Sequence, residues 1–248
     1  MATPQELIAG GALVVVNHSG GKDSQAMLIH LLRIVPRHQL VVMHASLGEM
    51  EWEGALELAR DQAAAAGVPF RVARADKSLL DMVERRFAAR PDVPSWPSAK
   101  HRQCTSDLKR DPIAREVRRY MADIGHKVVI SAMGLRAQES ASRAKRATFS
   151  RNERNCTAGR DWYEWNPIHD WSTAQVFETI RADGQEPHPA YALGNDRLSC
   201  VFCIFGSKTA LQTGARHNPD LARRFIETEE RTGYTMHMSQ KPLKDLIQ

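Results

Sequence analysis

The chain has 248 residues and a mass of 27.8 kDa, room for one large domain or one domain with an appendage at about 100–200 residues per domain. Its 42% hydrophobic and 25% charged residues are those of a globular chain, which excludes a disordered, collagenous or disulfide-stapled protein. Thirty-four Lys plus Arg against 29 Asp plus Glu give a net charge of +5, a modest excess that fits an anionic ligand such as a nucleotide or a nucleic acid without requiring one. No apolar run approaches the ~18–20 residues of a membrane span. The first ten residues hold Glu6 and lack the basic-then-apolar order of a secretory signal, so the chain reads as soluble and cytoplasmic, with no membrane partner.

Ala12–Asn17 is a short apolar, β-branched run that ends in the turn Ser19-Gly20-Gly21 and reads as a buried strand. From Ser24, Met27, Leu28, Leu31, Leu32 and Val35 recur at helical spacing up to Pro36. Gln39–Ala45 reads as a second strand, Glu51–Ala66 as a helix ending at Gly67, Pro69–Ala73 as a third strand and Ser78–Ala89 as a third helix. Pro91–Pro97 is a loop, Asp107–Ile124 a helix with Pro112 near its first turn, and Lys127–Met133 a fourth strand. Strands alternating with helices of this length imply right-handed crossovers and a mainly parallel sheet, so the fold class is α/β, doubly wound and Rossmann-like.

Arg136–Arg160 is rich in Arg, Ser and Asn and lacks an apolar period, which predicts a long mobile or ligand-ordered loop. Asp161–Ile168 reads as a last strand or hairpin, around which Trp162, Trp165 and Trp171 read as closing a core, with stacking on a base as the alternative. Ser172-x-x-Gln175 is a capping box that opens a helix with Val176, Phe177 and Ile180 on its apolar face. The expected division is residues 1–206 as a nucleotide-binding domain. After its Cys-containing end, residues 207–248 form a small C-terminal helical extension.

The first strand runs directly into Ser19-Gly20-Gly21-Lys22-Asp23-Ser24, and a helix follows. Glycines let backbone amides approach an anion, and the N–H groups and dipole of a helix start favour negative charge. Ser19 and Ser24 add hydroxyl donors and Lys22 adds charge, while Asp23 suits a helix cap or a magnesium ion that bridges phosphates. This six-residue string resembles the signature of the PP-loop, or N-type ATP pyrophosphatase, superfamily. The resemblance narrows to the phosphoadenosine phosphosulfate (PAPS) reductase-like family over roughly residues 12–206. It is carried by His44-Ala45-Ser46-Leu47-Gly48-Glu49, by Arg102-x-Cys104-Thr105 with Lys109 and Pro112, and by Gly134-Leu135-Arg136 with Glu139, Ser140 and Arg143. Pro167-Ile168-His169-Asp170-Trp171 and His188-Pro189-x-Tyr191, followed by Gly194, Arg197 and Cys200-x-x-Cys203, complete it.

The resemblance implies an adenine nucleotide alpha hydrolase-like fold. It also implies a nucleotide site formed by Ser19, Gly20, Gly21, Lys22, Asp23, Ser24, His44, Ser46 and Gly134, with Lys22, Asp23, Lys109, Arg136 and Arg143 as catalytic candidates. Two features depart from thiol-dependent reductases. Tyr234–Gln248 has no cysteine where those enzymes carry the attacking thiol, and the phosphate loop is the full ATP type. Both point to ATP with Mg2+, cleaved to AMP and pyrophosphate to adenylate a nucleic-acid or small-molecule acceptor, with sulfur supplied by a donor protein. A sulfonucleotide reductase and a non-catalytic nucleotide-binding module are the alternatives, and a homodimer is left open.

The chain has four cysteines. Cys200 and Cys203 have the spacing of two ligands to one metal centre. With Cys104, at the position that the resemblance assigns to cluster ligands in iron–sulfur members, they give three donors; Cys156 either completes a [4Fe–4S] cluster or, alternatively, a zinc site, or stays out and leaves a three-cysteine cluster with one open iron.

Overall fold

Residues 2–248 are described here from a computed structural model. A Thr3–Glu6 capping box with Pro4 in the first turn starts α1 (Pro4–Ala9), which at six residues is too short to show in the periodicity of the sequence. The apolar run that follows is β1 (Leu13–Asn17), with Leu13 to Val16 buried. A central parallel strand is covered on both faces, which is why this run has no polar alternation. Next come α2 (Lys22–Ile34), β2 (Leu40–Ser46), α3 (Ala55–Ala65), β3 (Phe70–Arg74), α4 (Leu79–Ala89) and the helical turn α5 (Gln103–Thr105). After them lie α6 (Asp111–Ile124), β4 (Val128–Met133), α7 (Ala141–Ala144), β5 (Phe149–Arg151), β6 (Asp161–Trp165) and α8 (Thr173–Ala182). The chain ends in α9 (Lys208–His217), α10 (Pro219–Thr232) and α11 (Leu243–Leu246).

The six strands form one sheet in the order β3-β2-β1-β4-β6-β5. β1 pairs in parallel with β2 (Val14 opposite Leu40) and with β4 (Val15 opposite Ser131). β4 and β6 are also parallel, and β5 runs antiparallel to β6, with Phe149 opposite Trp165. This is the doubly wound α/β arrangement that the alternating pattern predicts. Side chains of a strand alternate between faces. Val14 and Val16 accordingly pack with Met27, Leu28 and Leu31 of α2, whereas Leu13 and Val15 pack with Val117 and Met121 of α6.

By internal packing the chain forms two units. One comprises Met1–Ala45, Gly54–Ala73 and Ile113–His188; the other comprises Ser46–Glu53, Arg74–Pro112 and Pro189–Gln248. The second unit therefore takes in the C-terminal helices together with two earlier segments. Its core holds Trp96, Phe202 and Phe225, with ring centroids 5.6 Å (Trp96–Phe225) and 5.1 Å (Phe202–Phe225) apart. The buried Glu229 carboxylate accepts from the amides of Met236 at 2.6 Å and Leu243 at 2.7 Å, which fixes the tail onto α10.

Three segments differ from the sequence reading. Arg136–Arg160 holds a 3-10 turn (Ala137–Glu139), α7 and β5, so it carries its own structure. Each piece spans only three or four residues, below the length at which a period is visible. The helix expected from Glu51 starts at Ala55, because Gly54 takes a left-handed conformation (φ 87°) just before it. The helix expected from Asp107 opens with a π-turn over Ser106–Arg110, and such turns frequently accompany functional positions. Phe225→Ala should cost about 3–5 kcal/mol, as for other buried aromatics; a urea unfolding curve of the full chain measures it.

Candidate functional site

The site is built where β1 ends. Asn17 donates from its amide to Ser131 Oγ at 2.9 Å and to the Ala132 carbonyl at 2.8 Å, locking the strand end to β4. The His18 amide then donates to the Met43 carbonyl at 2.8 Å, so the chain stays on β2 for one more residue before turning. The His18 ring is buried beneath that turn. Its Nδ1 accepts from the Gly20 amide at 3.0 Å, and its Nε2 lies 2.6 Å from Gln62 Oε1. An amide can only donate, so Nδ1 is the acceptor and Nε2 carries the proton, which it gives to Gln62. Gln62 in turn donates to the Gln25 carbonyl of α2 at 3.1 Å. Burial, opposed by the Gln62 bond, lowers the His18 pKa from 6.5 to about 4.

Ser24 closes the loop from inside. Its hydroxyl donates to the Gly21 carbonyl at 2.8 Å and accepts from the Ser19 amide at 3.1 Å. Gly20 is left-handed (φ 75°), and a Cβ there would lie 2.4 Å from the Ala55 carbonyl oxygen. A Cβ on Gly134, at the end of β4, would lie 3.0 Å from the Asp23 backbone. No other residue type meets both the conformation and the clearance at Gly20. Gly21 is the N-cap of α2 and supplies no side-chain cap. The helix thus presents its first turn without a competing side-chain acceptor, at the end where an anion is favoured.

The charged residues of the loop turn inward. The Lys22 side chain is 3% exposed, pairs with Asp23 at 3.4 Å and lies 5.9 Å from the centre of the Phe177 ring. Arg136, equally buried, binds Asp23 Oδ1 at 2.6 Å and also donates to the Trp171 carbonyl, Gln138 Oε1 and Thr173 Oγ1 at 3.1–3.2 Å. Arg143 pairs with Glu139 and is 30% exposed; its carbonyl is bonded to His169 Nε2 at 3.0 Å. The arginine segment and the Pro167–Trp171 motif are thereby wired together. His44 is buried, with Nδ1 2.8 Å from the His18 carbonyl, and Ser46 ends β2.

In the second unit, Cys104, Cys200 and Cys203 are all partly buried and all interact electrostatically with Lys109, which stands on the π-turn. The Lys109 ammonium is held protonated above its ordinary range by Cys200 first, then by Cys203, Cys104 and Glu51, against burial. Burial pushes the Cys200 and Cys104 thiols up, and Lys109 opposes it at both. Between the two cysteines of the pair, Val201 and Phe202 are buried in the core. Cys156 belongs to the first unit. Its sulfur accepts from the Trp162 amide at 3.3 Å and from Arg151 Nε at 3.4 Å. Among the described residues no group of three or more His, Cys, Asp or Glu side chains is arranged to hold a metal ion. The four cysteines expected as one ligand set are therefore divided three and one between the units, and the three are gathered about an ammonium.

Sequence reasoning identified the loop and missed His18 and Gln62, which hold it. His18 lies between a strand and a glycine turn, and nothing in its neighbours marks it as buried.

Residues 13–205 match the family described as the phosphoadenosine phosphosulfate reductase domain. An uncharacterized 37.8 kDa protein of Escherichia phage 186 is 32% identical over 129 residues, which is 52% of this chain and 37% of that protein. The chain's match thus spans little more than a third of that relative. In fold the chain is similar to PAPS reductase from Candida auris, solved as a phosphate complex, with a TM-score of 0.50 and 15% identity over 80% of this chain and 88% of that one. FMN adenylyltransferase from Candida glabrata aligns with a TM-score of 0.47 and 12% identity over 77% of this chain and 55% of that one. No helix among the described residues is long and apolar enough to cross a membrane.

Two outcomes follow from the ionisation of these groups. Above pH 6.5 His18 is neutral in both folded and unfolded chains. As pH falls from 6.5 towards about 4, the unfolded chain takes up a proton that the folded chain refuses. His18 should therefore remove about 3 kcal/mol of stability across that window. His18→Asn, whose side-chain oxygen can accept from Gly20, should flatten that part of the pH profile in urea unfolding. Lys109→Met should raise the Cys104 and Cys200 thiols further and slow their alkylation by iodoacetamide at pH 8, about tenfold per pKa unit. An unchanged rate would separate the ammonium from the thiols.

Proposed function

The chain belongs to the phosphoadenosine phosphosulfate reductase domain family, within the PP-loop, adenine nucleotide alpha hydrolase-like superfamily, and from that premise we propose an enzyme that binds MgATP at Ser19–Ser24 and transfers AMP to an acceptor oxygen for sulfur insertion. The reading is carried by one observation. The complete Ser-Gly-Gly-Lys-Asp-Ser loop leads into a helix that no side chain caps, with glycine clearances at Gly20 and Gly134 on either side. That geometry suits a pyrophosphate group, because the first-turn amides of α2 face no side-chain cap and no carboxylate competes from the cap position.

In the proposed reaction the acceptor oxygen attacks the α-phosphorus. The bond from that phosphorus to the bridging oxygen breaks, and the electron pair leaves with magnesium pyrophosphate. The acceptor's proton passes to solvent. Hydrosulfide supplied by a donor protein then attacks the activated carbon; the carbon–oxygen bond breaks, AMP leaves with the electron pair, and the carbon–sulfur bond is formed. The first-turn amides of α2, with the Ser19 hydroxyl, hold the β- and γ-phosphates as leaving group, and Ser24 holds the loop itself closed. Lys22, Asp23 and Arg136 act on the loop from below, since their charges are engaged with one another. Arg143 is the candidate for direct charge on the reacting phosphates and His44 for the nucleoside side, whereas Lys109 and Ser46 belong to the second unit. The acceptor is a nucleic acid or a small molecule.

A [4Fe–4S] cluster or zinc is what the cysteine spacing suggests. The donors do not fit a formed site, because no three of them among the described residues are arranged around a metal position and Lys109 faces the thiols. No step is routed through a metal centre. A sulfonucleotide reductase is the second reading, favoured by the family match and by the three thiols grouped in the second unit.

Calorimetric titration separates the readings. MgATP should bind the wild-type chain more tightly than PAPS does. Gly134→Val, which drives a side chain into the Asp23 backbone, should weaken MgATP by about tenfold or more, or at least 1.4 kcal/mol. With the acceptor present, AMP and pyrophosphate should appear; ADP and phosphate would sink the proposal. Tight PAPS binding without ATP binding would select the reductase.

A further inference from the structure

Three cations of the second unit are used by nothing described so far. Lys77, Arg85 and Arg86 line a cavity of 260 Å³, together with Ser95, Gln103 and Asp107. None of these residues belongs to the Ser19–Ser24 loop. Asp107 is the one carboxylate, and it is already engaged: Lys77 Nζ lies 3.2 Å from it and Ser106 Oγ donates to it at 2.6 Å. Arg85 and Arg86, successive residues on α4, form no salt bridge within 4.0 Å among the described residues, and Arg85 acts on the Asp81 carboxylate only at longer range. With its amide oxygen turned towards Arg86, Gln103 accepts from that guanidinium and donates to the His101 carbonyl.

A second observation is independent of charge. Ser95 is 1% exposed, lines the cavity, and its hydroxyl has no hydrogen-bond partner in the protein. Buried hydroxyls are almost always satisfied, so one left over at a cavity wall calls for a partner within the cavity. Ser95 is also held in place, because its neighbour Trp96 is buried against Phe225.

We infer that this cavity binds a tetrahedral oxyanion, the phosphate or sulfate group of a small ligand. Three positive groups against one engaged carboxylate exclude a metal cation and disfavour an apolar guest. Paired guanidinium groups present forked donors that match phosphate and sulfate oxygens, and Ser95 adds a hydroxyl donor. The volume is below the about 300–1,000 Å³ of sites for drug-sized ligands. It therefore takes the oxyanion free or with a small ester group, not a dinucleotide. The inference is independent of which nucleotide the loop binds.

The test titrates inorganic phosphate, sulfate and glycerol 3-phosphate into the full chain at low ionic strength, by calorimetry. Phosphate should bind the wild type. Affinity should fall at least tenfold in the Arg85→Gln/Arg86→Gln double variant and severalfold in Ser95→Ala, each checked for native circular dichroism. It should persist in Gly134→Val, which disturbs only the loop. Equal binding of phosphate and sulfate marks a free-oxyanion site, and tighter glycerol 3-phosphate marks a small ester; either supports the inference. No wild-type binding, or binding unchanged in both cavity variants, overturns it. Phosphate binding lost in Gly134→Val and retained in the cavity variants would assign the anion to the loop and overturn it equally.

Discussion

The Gly20 amide and the His18 ring nitrogen can bond in only one protonation state. Nδ1 must present its lone pair, so the imidazole must be neutral and must carry its proton on Nε2. That proton then finds Gln62, whose amide reaches the Gln25 carbonyl, and one buried chain of bonds ties the turn to α3 and α2. A protonated ring would set an N–H against the Gly20 N–H. The loop would lose an acceptor and acquire a buried charge in the same step. Burial, which makes the charged form costly, is therefore also what keeps the loop in shape.

The loop's formal charges work on the same principle. Asp23 lies between Lys22 and Arg136, and Arg136 spends its remaining donors on Trp171, Gln138 and Thr173. Removing one member of such a buried group leaves its partner uncompensated, which costs more than the pair contributes. The arrangement sets two cations against one carboxylate directly behind the start of α2. The charge beneath the loop and the dipole of the helix thus favour an anion together. Lys22 and Arg136 read from sequence as residues that reach for phosphate; in the fold their reach is consumed internally.

Elements with a strong period were legible. β1, β2 and β4 are apolar runs because a parallel strand is buried on both faces, and α8 opens on the Ser172–Gln175 box that the spacing suggested. The Ser19–Ser24 turn was legible because a position needing φ near 75° with a backbone 2.4 Å from any Cβ admits glycine alone. What was not legible depends on contacts far apart in the chain. His18 becomes an acceptor only because Gln62 lies 44 residues on. The arginine segment has structure because His169 and Trp171 offer it carbonyl and ring-nitrogen partners. No local pattern carries that information.

The cysteines mark the same boundary between spacing and environment. Cys-x-x-Cys fixes how far apart two sulfurs can be, but not what stands beside them. Here Val201 and Phe202 are drawn into the core, and the flanking thiols are left partly buried near Lys109. Two opposing effects then act on Cys104 and Cys200. Removal from water favours the neutral thiol, the ammonium favours the thiolate, and removal from water is the larger. A thiol balanced in this way responds to its surroundings. A further cation nearby, or readmitted water, shifts it towards the nucleophilic form, and an added anion shifts it away. The reactivity of the group is thus set by the charge brought to it; the two-residue spacing contributes only the proximity of Cys200 to Cys203, and the fold brings Cys104 to the same ammonium.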